Sequence, residues 1–516
     1  MNEDRSFTYI LLPSIIIGGA ILRFAYLGRE SLWYDELFTV WAGSLPLRDL
    51  IAEGTASGHP LLYNLATFFW LSFGSGDVWI RMISLISGVI AICFMYFLGK
   101  EYVSRRVGLW AAALAAVSPF MYYYSREATD KAMSIAAASA SLYLLVRSMN
   151  RGGWGNWTAY ILATAAVLFA HFYGVFLVAG AVLFYFAAYG PGHVRFRAWL
   201  TSQLGLAMVV ILWFFSNRGS TRWIDLNMPG PYAVLEDTFY KGPVALMGFI
   251  LPLNHGDVFL PGTRYIFYCA LAVGVLILSG LMLYSKDFRG KILDRKVLAL
   301  ALLVFIVVAG PVLGQIVRDT YTSVRYFAWA IVPFLLLAAV LIAAVPRRAG
   351  TVIGAIAIAG SLAVTGWSMN TYEYDNWRGI MSAISEEQQP DDRLLCFPFS
   401  ECSMAAHHYL KNGPVFSGGY INDSESVQFY PPGVIWAGYD TSRKYGSPKV
   451  HSGERLRERI LDDINGAERV WIIGGSGSVE RIKRADAVYG ILEPDWRVER
   501  ETSYPPYLLR LYVHNS

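Results

Sequence analysis

Residues 79–99 read WIRMISLISGVIAICFMYFLG, an apolar run in which Arg81 is the single charged residue. A helix needs about 20 mostly apolar residues to cross the hydrocarbon core of a bilayer, so this run predicts a transmembrane span. It is followed at once by Lys100, Arg105 and Arg106. Loops rich in Lys and Arg are typical of the cytoplasmic side. This stretch therefore predicts both a membrane fold and a direction of crossing.

The composition of the whole chain agrees with a membrane protein. Of its 516 residues, 55% are hydrophobic and 16% are charged, and the mean hydropathy is +0.39. A soluble protein carries about 25% charged residues. The 16 Trp and 32 Tyr fit two interfacial belts, because amphipathic rings favour headgroup depth. The net charge of +4 is too small and too dispersed to indicate nucleic acid as a partner.

Similar apolar runs recur along the chain and predict a polytopic α-helical membrane protein with about eleven transmembrane helices. The predicted spans are residues 8–27, 79–99, 107–124, 131–147, 157–173, 174–189, 198–216, 264–284, 297–316, 326–345 and 350–369. Pro60–Phe73 is apolar but short. We interpret it as an interfacial or re-entrant segment.

The Lys and Arg residues give the direction of the crossings. With the N-terminus inside, the inner loops are residues 100–106, 147–156, 190–197, 285–296 and 346–348, and the short outer turns are much poorer in Lys and Arg. Eleven spans then place the C-terminus outside. A crossing by Pro60–Phe73 would flip every later loop against this rule. We expect a multi-pass protein of the inner (plasma) membrane, with a cytoplasmic N-terminus and an extracytoplasmic (periplasmic) C-terminal domain.

The amino-acid composition changes after the last predicted span. Residues 371–516 are rich in acidic residues, Pro and Gly, and short β-rich runs at Arg393–Phe397, Val470–Ile473 and Leu508–Val513 alternate with helix-like stretches such as Glu454–Ile464. This pattern predicts an α/β domain. The expected division is therefore a transmembrane domain, 1–370, and an extracytoplasmic domain, 371–516. Cys396 and Cys402 are able to form a disulfide if this domain is extracytoplasmic.

The first outer loop, residues 28–78, carries an unusual acidic motif. It begins with Trp33-Tyr34-Asp35-Glu36, and amphipathic segments with Leu37, Val40 and Trp41 on one face follow. Such helices lie flat at a membrane interface and would hold Asp35 and Glu36 at headgroup depth. The alternative is that the two acids cap the N-terminus of a helix.

A second charged cluster occupies the outer turn Ser118–Lys131. It contains Tyr122, Tyr123 and Tyr124, followed by Arg126, Glu127 and Asp130. Ionisable groups at the membrane edge are candidates for a functional site, and Tyr and Arg side chains suit sugar stacking and phosphate pairing. The alternative is a polar hairpin whose charges pair locally.

Three further outer positions are candidates for the same site. His59 lies before Tyr63 at the start of the short apolar segment, His171 ends a span, and Arg325 with Tyr326 enters a late span. A guanidinium forms bidentate contacts with phosphate oxygens, so Arg325 is able to bind a lipid phosphate. For each position the alternative is a structural role in capping or anchoring a helix end.

Several common motifs are missing from the sequence. Gly474–Val479 lacks the glycine spacing of a dinucleotide site, and no Walker loop, zinc spacing or serine-nucleophile elbow occurs. We therefore expect no nucleotide cofactor, and the energy for a reaction would come from an activated substrate.

In the order of these motifs the chain resembles the GT-C glycosyltransferases, specifically the branch that contains the protein O-mannosyltransferases and the bacterial lipid A aminoarabinose transferase. The resemblance covers nearly the whole chain. It rests on Trp33–Glu36, His59-Pro60-Leu61-Leu62-Tyr63, Ser118–Glu127, Arg325-Tyr326 and Tyr374-Asp375-Asn376-Trp377-Arg378. Protein mannosyltransferases have His-Pro-Pro where this chain has His59-Pro60-Leu61, so the resemblance does not establish a protein acceptor.

The resemblance implies an inverting glycosyltransferase. A sugar would pass from a polyprenyl-phosphate donor, of which undecaprenyl phosphate is the expected carrier, to an extracytoplasmic hydroxyl of a glycan, lipid or protein. Asp35 matches the catalytic acid/base of the family, with Glu36 beside it, and either Glu127 or Asp130 supplies the second acid. The donor phosphate would contact His59, Arg126, Arg325 and Tyr326. The substrate cavity would include Trp33, Tyr34, Tyr63, Tyr123, Tyr124 and His171.

Two questions stay open at this level. Some members of the superfamily use a divalent metal, Mg or Mn, and others do not, and Asp35 with Glu36 is the candidate pair of ligands. The alternative functions are a flippase or polymerase of polyisoprenoid-linked glycans, and a structural assembly protein. Replacement of Asp35 would separate these alternatives from transfer chemistry.

Overall fold

The computed structural model describes residues 2–57, 61–216, 285–318, 324–371, 375–389, 392–396, 399–410, 419–423, 426–430, 434–435, 464, 466–475, 489–490, 492 and 494–515. The chain forms two compact units. A helical unit comprises residues 1–27 and 46–372, and an α/β unit comprises residues 28–45 and 373–516. Residues 28–45, which the sequence assigns to the transmembrane domain, thus fold with the C-terminal residues.

The helices follow the predicted spans closely. A helix lies at every predicted span except 264–284, which is outside the described residues. In chain order the helices are α1 (Asn2–Phe24), α2 (Tyr34–Ser44), α3 (Leu47–Ser57), α4 (Leu61–Leu71), α5 (Asp77–Tyr102), α6 (Arg105–Val117), α7 (Pro119–Tyr124), α8 (Asp130–Arg151), α9 (Trp154–Ala170), α10 (Val175–Ala188), α11 (Phe196–Ser216), α12 (Lys286–Ile292), α13 (Arg295–Arg318), α14 (Ile331–Ala344), α15 (Arg347–Thr371), α16 (Trp377–Glu387) and α17 (Phe399–Tyr409).

The architecture is that of a helical membrane protein. Within the described part of the chain, four helices are long and apolar enough to cross a bilayer, Asp77–Tyr102, Asp130–Arg151, Arg325–Ala344 and Arg347–Trp367. By contrast α4, at the predicted interfacial segment, has 11 residues and is about 16 Å long. This is well short of the roughly 30 Å of a hydrocarbon core.

The predicted inner loops lie together at one end of the helical unit. Their basic side chains donate hydrogen bonds to carbonyls at the C-terminal ends of neighbouring helices, which cations stabilise. These bonds run from Lys296 Nζ to Tyr102 O (3.4 Å), from Arg195 Nη1 to Met149 O (2.7 Å), from Arg295 Nε to Ala187 O (2.5 Å) and from Lys291 Nζ to Ala344 O (3.3 Å). The helices α5, α8, α10 and α14 therefore all end on the side that the charge pattern assigns to the cytoplasm.

The α/β unit is built on a five-stranded sheet of order β4-β1-β5-β7-β6. Strand β1 is parallel to both β4 and β5, and β7 is antiparallel to both β5 and β6. The strands are β1 (Arg393–Cys396), β2 (Gly419–Asp423), β3 (Ser426–Tyr430), β4 (Val434–Ile435), β5 (Arg469–Gly475), β6 (Trp496–Tyr504) and β7 (Tyr507–His514). Strands β2 and β3 form a separate antiparallel pair.

The three strands predicted from sequence correspond to β1, β5 and β7. In β5 the consecutive residues 470–473 are all buried, as in a strand covered on both faces. Residues 454–463 of the predicted helical stretch lie outside the described residues. In the glycine-rich stretch Gly474–Val479, which the sequence predicts as a turn, Gly474 and Gly475 instead end strand β5, and Ser476–Val479 lie outside the described residues. Cys402, one of the two cysteines for which the sequence allows a disulfide, is disulfide-bonded.

Candidate active site

The two acids of the first motif have different environments. Glu36 is 0% exposed, and its Oε2 accepts a hydrogen bond from the Trp33 backbone N–H at 3.3 Å. This is the acidic half of a capping box at the start of α2. Asp35 is half-buried, and its backbone carbonyl accepts from Thr39 Oγ1. The capping alternative therefore describes Glu36, while the Asp35 side chain retains partial access to solvent.

The rest of the motif follows the same division between buried and accessible groups. Trp33 is half-buried and Tyr34 is 38% exposed. Leu37, Val40 and Trp41 are buried. The apolar face of α2 that sequence assigns to the membrane interface is thus covered by protein, mainly by α17 of the same unit.

The second acidic turn begins at a break between helices α6 and α7. Pro119 has no N–H to donate to the carbonyl of Ala115 one turn earlier. Arg23 of α1 replaces this donor: its Nη2 lies 2.9 Å from Ala115 O, and its Nη1 lies 2.8 Å from Ala116 O. Its Nε donates to Ser125 Oγ at 3.1 Å. A fully buried guanidinium thus joins the helix break to the turn that follows it.

Arg126 is also tied into this turn. Its Nη1 donates to the hydroxyl of Tyr122 at 2.5 Å, and its Nη2 donates to the carbonyl of Tyr26 at 2.5 Å. The guanidinium carbon lies 5.0 Å from the centre of the Tyr122 ring. Both terminal nitrogens of Arg126 therefore have protein partners.

Asp130 is the first residue of α8 and is 2% exposed. Its Oδ1 accepts from Lys131 Nζ at 2.6 Å, and Lys131 is 8% exposed. An acid in the first turn of a helix is stabilised by the positive end of the helix dipole. Helix α8 has 22 residues and is about 33 Å long, so Asp130 lies far from the basic loop at the other end.

Tyr63 supports the same turn from α4. Its hydroxyl is 2.8 Å from Ser84 Oγ, which in turn donates to the carbonyl of Thr129 at 3.2 Å. Tyr63 is 1% exposed. Its position is a hydrogen-bonded contact in the protein interior, next to the residue that precedes Asp130.

Aromatic and basic groups from other elements lie near the start of α8. His171 lies between α9 and α10, and its ring centre is 5.3 Å from that of Tyr326 and 5.2 Å from that of Trp329. Arg325 lies 5.6 Å from the centre of the Tyr326 ring. His171 interacts electrostatically with Asp130, Lys131 and Arg325. The sequence-predicted residues Asp130, His171, Arg325 and Tyr326 are therefore neighbours in the fold.

Several polar atoms near the start of α8 are buried without a hydrogen-bond partner among the described residues. They are Arg126 Nε, Thr129 Oγ1, Asp130 Oδ2 and Ser134 Oγ. Buried polar atoms in native proteins are nearly always paired, so a group of unpaired ones needs an explanation. We define these four residues with Lys131, His171, Arg325 and Tyr326 as the Asp130 cluster. The four unpaired atoms are donors and acceptors that a polar ligand could hydrogen-bond.

The remaining predicted site residues have other positions. Tyr124 is 6% exposed and belongs to the apolar core, while Tyr123 is half-buried and packs edge-on against it. Glu127 is 2% exposed, and its carbonyl accepts from Thr129 N. His59 lies outside the described residues.

The comparisons with known proteins concern both the sequence and the fold. Residues 58–217 match a family model described as dolichyl-phosphate-mannose-protein mannosyltransferase. The crystal structure of ArnT from Cupriavidus metallidurans in the apo state matches with a TM-score of 0.60 at 10% identity, over 98% of both chains. The chain has the fold of the GT-C glycosyltransferases.

A second structure supports the same assignment of the fold. The crystal structure of the same ArnT bound to undecaprenyl phosphate matches this chain with a TM-score of 0.57 at 10% identity, over 98% of this chain and 97% of that chain. A search of curated proteins found no match. The resemblance inferred from the order of the motifs is confirmed.

The GT-C fold raises the question of a metal. Among the described residues no group of three or more His, Cys, Asp or Glu is placed to hold a metal ion. Glu36, one of the two predicted ligands, is buried and uses a carboxylate oxygen to cap α2. The pair Asp35–Glu36 therefore does not fit a shared ion in this geometry.

Sequence reasoning missed several residues of the candidate site. Arg23 and Trp329 are not among the predicted site residues, although Arg23 carries a signal, since a lone Arg inside an apolar span is a functional or structural candidate by default. Trp329 carries none, because Trp is frequent in membrane proteins. Only the packing shows their role.

Proposed function

We propose that this protein is an inverting glycosyltransferase that moves a sugar from a polyprenyl-phosphate donor, probed here as undecaprenyl phosphate, to an acceptor hydroxyl outside the cytoplasm. The observation that supports this most strongly is the Asp130 cluster, in which a buried acid with an unpaired oxygen lies among basic and aromatic groups in a GT-C fold. The ArnT relative is described as binding undecaprenyl phosphate, which agrees with this assignment.

We assign the role of general base to Asp35. Its carboxylate takes the proton of the acceptor hydroxyl while the hydroxyl oxygen attacks C1 of the sugar. The bond between C1 and the phosphate oxygen breaks, and its electron pair remains on the phosphate. Attack from the face opposite the phosphate inverts the configuration at C1. Base assistance of this kind contributes about 10²–10⁴-fold.

We assign the donor side to the Asp130 cluster. Lys131 and Arg325 would neutralise the charge that develops on the leaving phosphate, and Tyr326 and His171 would pack against the donor. Arg126 is the weaker candidate, because both of its terminal nitrogens already bind protein oxygens. Asp130 is the preferred second acid, and its charge would stabilise a transition state with oxocarbenium character.

The proposed topology has eleven spans, with the N-terminus in the cytoplasm of a cell with an inner membrane. Two structural observations support it. The basic loops share one end of the helical unit, and residues 28–45 of the first outer loop fold with residues 373–516 in one compact unit. In the proposed topology, Asp35 and residues 373–516 lie on the same side of the membrane. The disulfide at Cys402 favours an oxidising compartment for that side.

The test uses a strain from which the gene has been deleted. Its membranes should accumulate the polyprenyl-phosphate sugar and the unmodified acceptor, both measurable by mass spectrometry. Purified protein added to these membranes should consume the lipid-linked sugar and release polyprenyl phosphate. The Asp35→Asn variant should retain its thermal midpoint in detergent and lower this turnover about 10²–10⁴-fold. Accumulation of no such lipid, or normal turnover by Asp35→Asn, would refute the proposal.

A further inference from the structure

The segment that carries Asp35 is held by residues more than 340 positions away in the sequence. Arg378 donates from Nη1 to the carbonyl of Gly28 at 3.2 Å and from Nη2 to the carbonyl of Glu30 at 2.9 Å. The hydroxyl of Ser31 donates to the carbonyl of Asp375. All of these groups belong to the α/β unit.

The last contact before the motif comes from helix α17. The backbone N–H of Leu32 donates to the hydroxyl of Tyr409 at 2.8 Å, and Leu32 is 0% exposed. The next backbone N–H, that of Trp33, donates to Glu36 within the cap of α2. The backbone that enters α2 is thus held at consecutive residues, first by the C-terminal domain and then by the helix cap.

The groups that make these contacts are themselves anchored to the sheet. Tyr507 of β7 donates to Glu401 Oε2 at 2.8 Å and to Asp375 Oδ2 at 3.1 Å, and its ring centre is 4.4 Å from that of Trp377. Burial, and then the charges of Glu401 and Asp375, raise the pKa of Tyr507 above its ordinary value. Tyr507 therefore remains a protonated donor at neutral pH and joins α17 to the start of α16.

These contacts are directed at the loop rather than at a core. Residues 28–32 lie outside the helices and strands, so their backbone groups bond to side chains, to other loop groups or to water. Arg378, Asp375 and Tyr409 supply such partners while remaining half-buried. None of these three residues belongs to the hydrophobic core of the sheet around Val470 and Ile472.

We propose that the C-terminal α/β domain positions the catalytic base, with Arg378 and Tyr409 as the positioning residues that set the start of α2 and hence the location of Asp35. The proposal rests on the assignment of Asp35 as the base. A catalytic group that is misplaced by about 1 Å can cost on the order of 10²-fold in rate. Removal of these contacts should therefore lower turnover much more than it lowers the stability of the domain.

The first measurement does not depend on activity. Tyr409→Phe removes one hydroxyl, and Arg378→Ala removes two donors. Hydrogen exchange of the full-length protein in detergent should become faster in peptides that cover residues 28–36 and stay unchanged in β5. Matched controls are Tyr504→Phe and Arg497→Ala in the same domain, of which Arg497 is exposed. Equal exchange in the variants and controls would overturn the proposal.

The second measurement is turnover with deletion-strain membranes as the source of donor and acceptor. Arg378→Ala should lower kcat by about 10- to 100-fold with little change in the KM for the lipid-linked sugar, and Arg378→Lys should recover part of the loss. In the Asp35→Asn background Arg378→Ala should cost less than about twofold, because residues that act through one group are not additive.

The outcomes separate this proposal from the one on which it rests. Loss of turnover in Asp35→Asn with normal turnover in Arg378→Ala and Tyr409→Phe would overturn the positioning role alone. Normal turnover in Asp35→Asn would refute the assignment of the base itself. A full additional loss in the double variant would show that Arg378 acts independently of Asp35, and would also overturn the proposal.

Discussion

The two acidic segments of this protein are held in place in different ways. Asp35 lies on a loop-to-helix junction whose backbone is bound by residues of the C-terminal domain. Asp130 begins a long helix in the helical unit, next to a turn that is fixed by the buried Arg23. The first acid depends on contacts that are distant in sequence and close to solvent, and the second depends on buried contacts between neighbouring helices.

This difference shows what kind of support each acid requires. The loop that leads to the half-buried Asp35 needs external support that does not enclose the acid, and the guanidinium of Arg378, the carbonyl of Asp375 and the hydroxyl of Tyr409 provide it. An acid at the buried start of a helix is oriented by the helix itself, and the cost of burial is offset by Lys131 and the helix dipole. Substitutions should therefore affect activity and stability to different degrees in the two segments.

The largest expected effect is on the turn near Asp130. Arg23→Met would leave the carbonyls of Ala115 and Ala116 without this donor at the break before Pro119. Each orphaned buried group costs about 1–3 kcal/mol, so the free energy of unfolding should fall by roughly 2–6 kcal/mol. Equilibrium unfolding in mixed detergent micelles measures it. Arg29→Met, at an exposed Arg, should change it by less than about 1 kcal/mol, and equal effects of the two would contradict the role of Arg23.

The second effect distinguishes the two candidate acids of that turn. Asp130→Asn should lower turnover about 100-fold, equivalent to about 2.7 kcal/mol in the barrier, since Asp130 belongs to the cluster around His171 and Arg325. Glu127→Gln, at an equally buried acid, should lower it less than tenfold. Turnover with deletion-strain membranes provides the measurement. The reverse order would move the role of second acid to Glu127.

The third effect compares the adjacent acids of the first motif. Glu36→Ala removes a helix cap and should lower the free energy of unfolding by about 0.5–2 kcal/mol. Glu36→Gln should retain most of that energy, because Gln also accepts the bond from Trp33. Asp35→Asn should leave the unfolding free energy nearly unchanged and lower turnover about 10²–10⁴-fold. A large loss of turnover in Glu36→Gln would contradict this separation of a structural acid from a chemical one.

The smallest effect concerns the support beneath Asp130. Tyr63→Phe removes the hydroxyl that bonds Ser84, and a single hydrogen bond within a membrane protein contributes about 0.6 kcal/mol on average. The thermal midpoint should fall slightly and turnover should change less than threefold. A Tyr9→Phe control, at an exposed tyrosine of α1, should show no change. A loss of more than tenfold in Tyr63→Phe would make Tyr63 a substrate contact, as the sequence predicts.

The sequence was sufficient for the positions of the described helices, while the direction in which they cross the membrane stays a prediction. Residues 79–99 are apolar over the thickness of a bilayer and are followed by basic residues, and α5 lies there in the structure. Length, hydropathy and flanking charge are local properties, so they are readable without the fold. The same holds for β5, whose apolar run at residues 470–473 predicts a buried strand.

The order of the motifs was also sufficient for the resemblance to GT-C glycosyltransferases, and it brought Asp130, His171, Arg325 and Tyr326 into one hypothesis. The order of the motifs does not, however, assign different roles to adjacent residues of one motif. Asp35 and Glu36 are both acidic and are equivalent at the level of the sequence. Only the path of the backbone into α2 determines that Glu36 turns back to cap the helix while Asp35 stays accessible.

The amino-acid sequence by itself determined where the apolar helices lie and where strands β1, β5 and β7 of the C-terminal sheet lie, because each follows from residues close together in the chain. Tertiary structure alone decided that residues 28–45 fold with residues 373–516, and that Arg23 supplies the donor which Pro119 lacks. Pro119 shows in the sequence that a carbonyl will need a partner. Which side chain provides it depends on packing between helices that are far apart in sequence, and no local pattern records that packing.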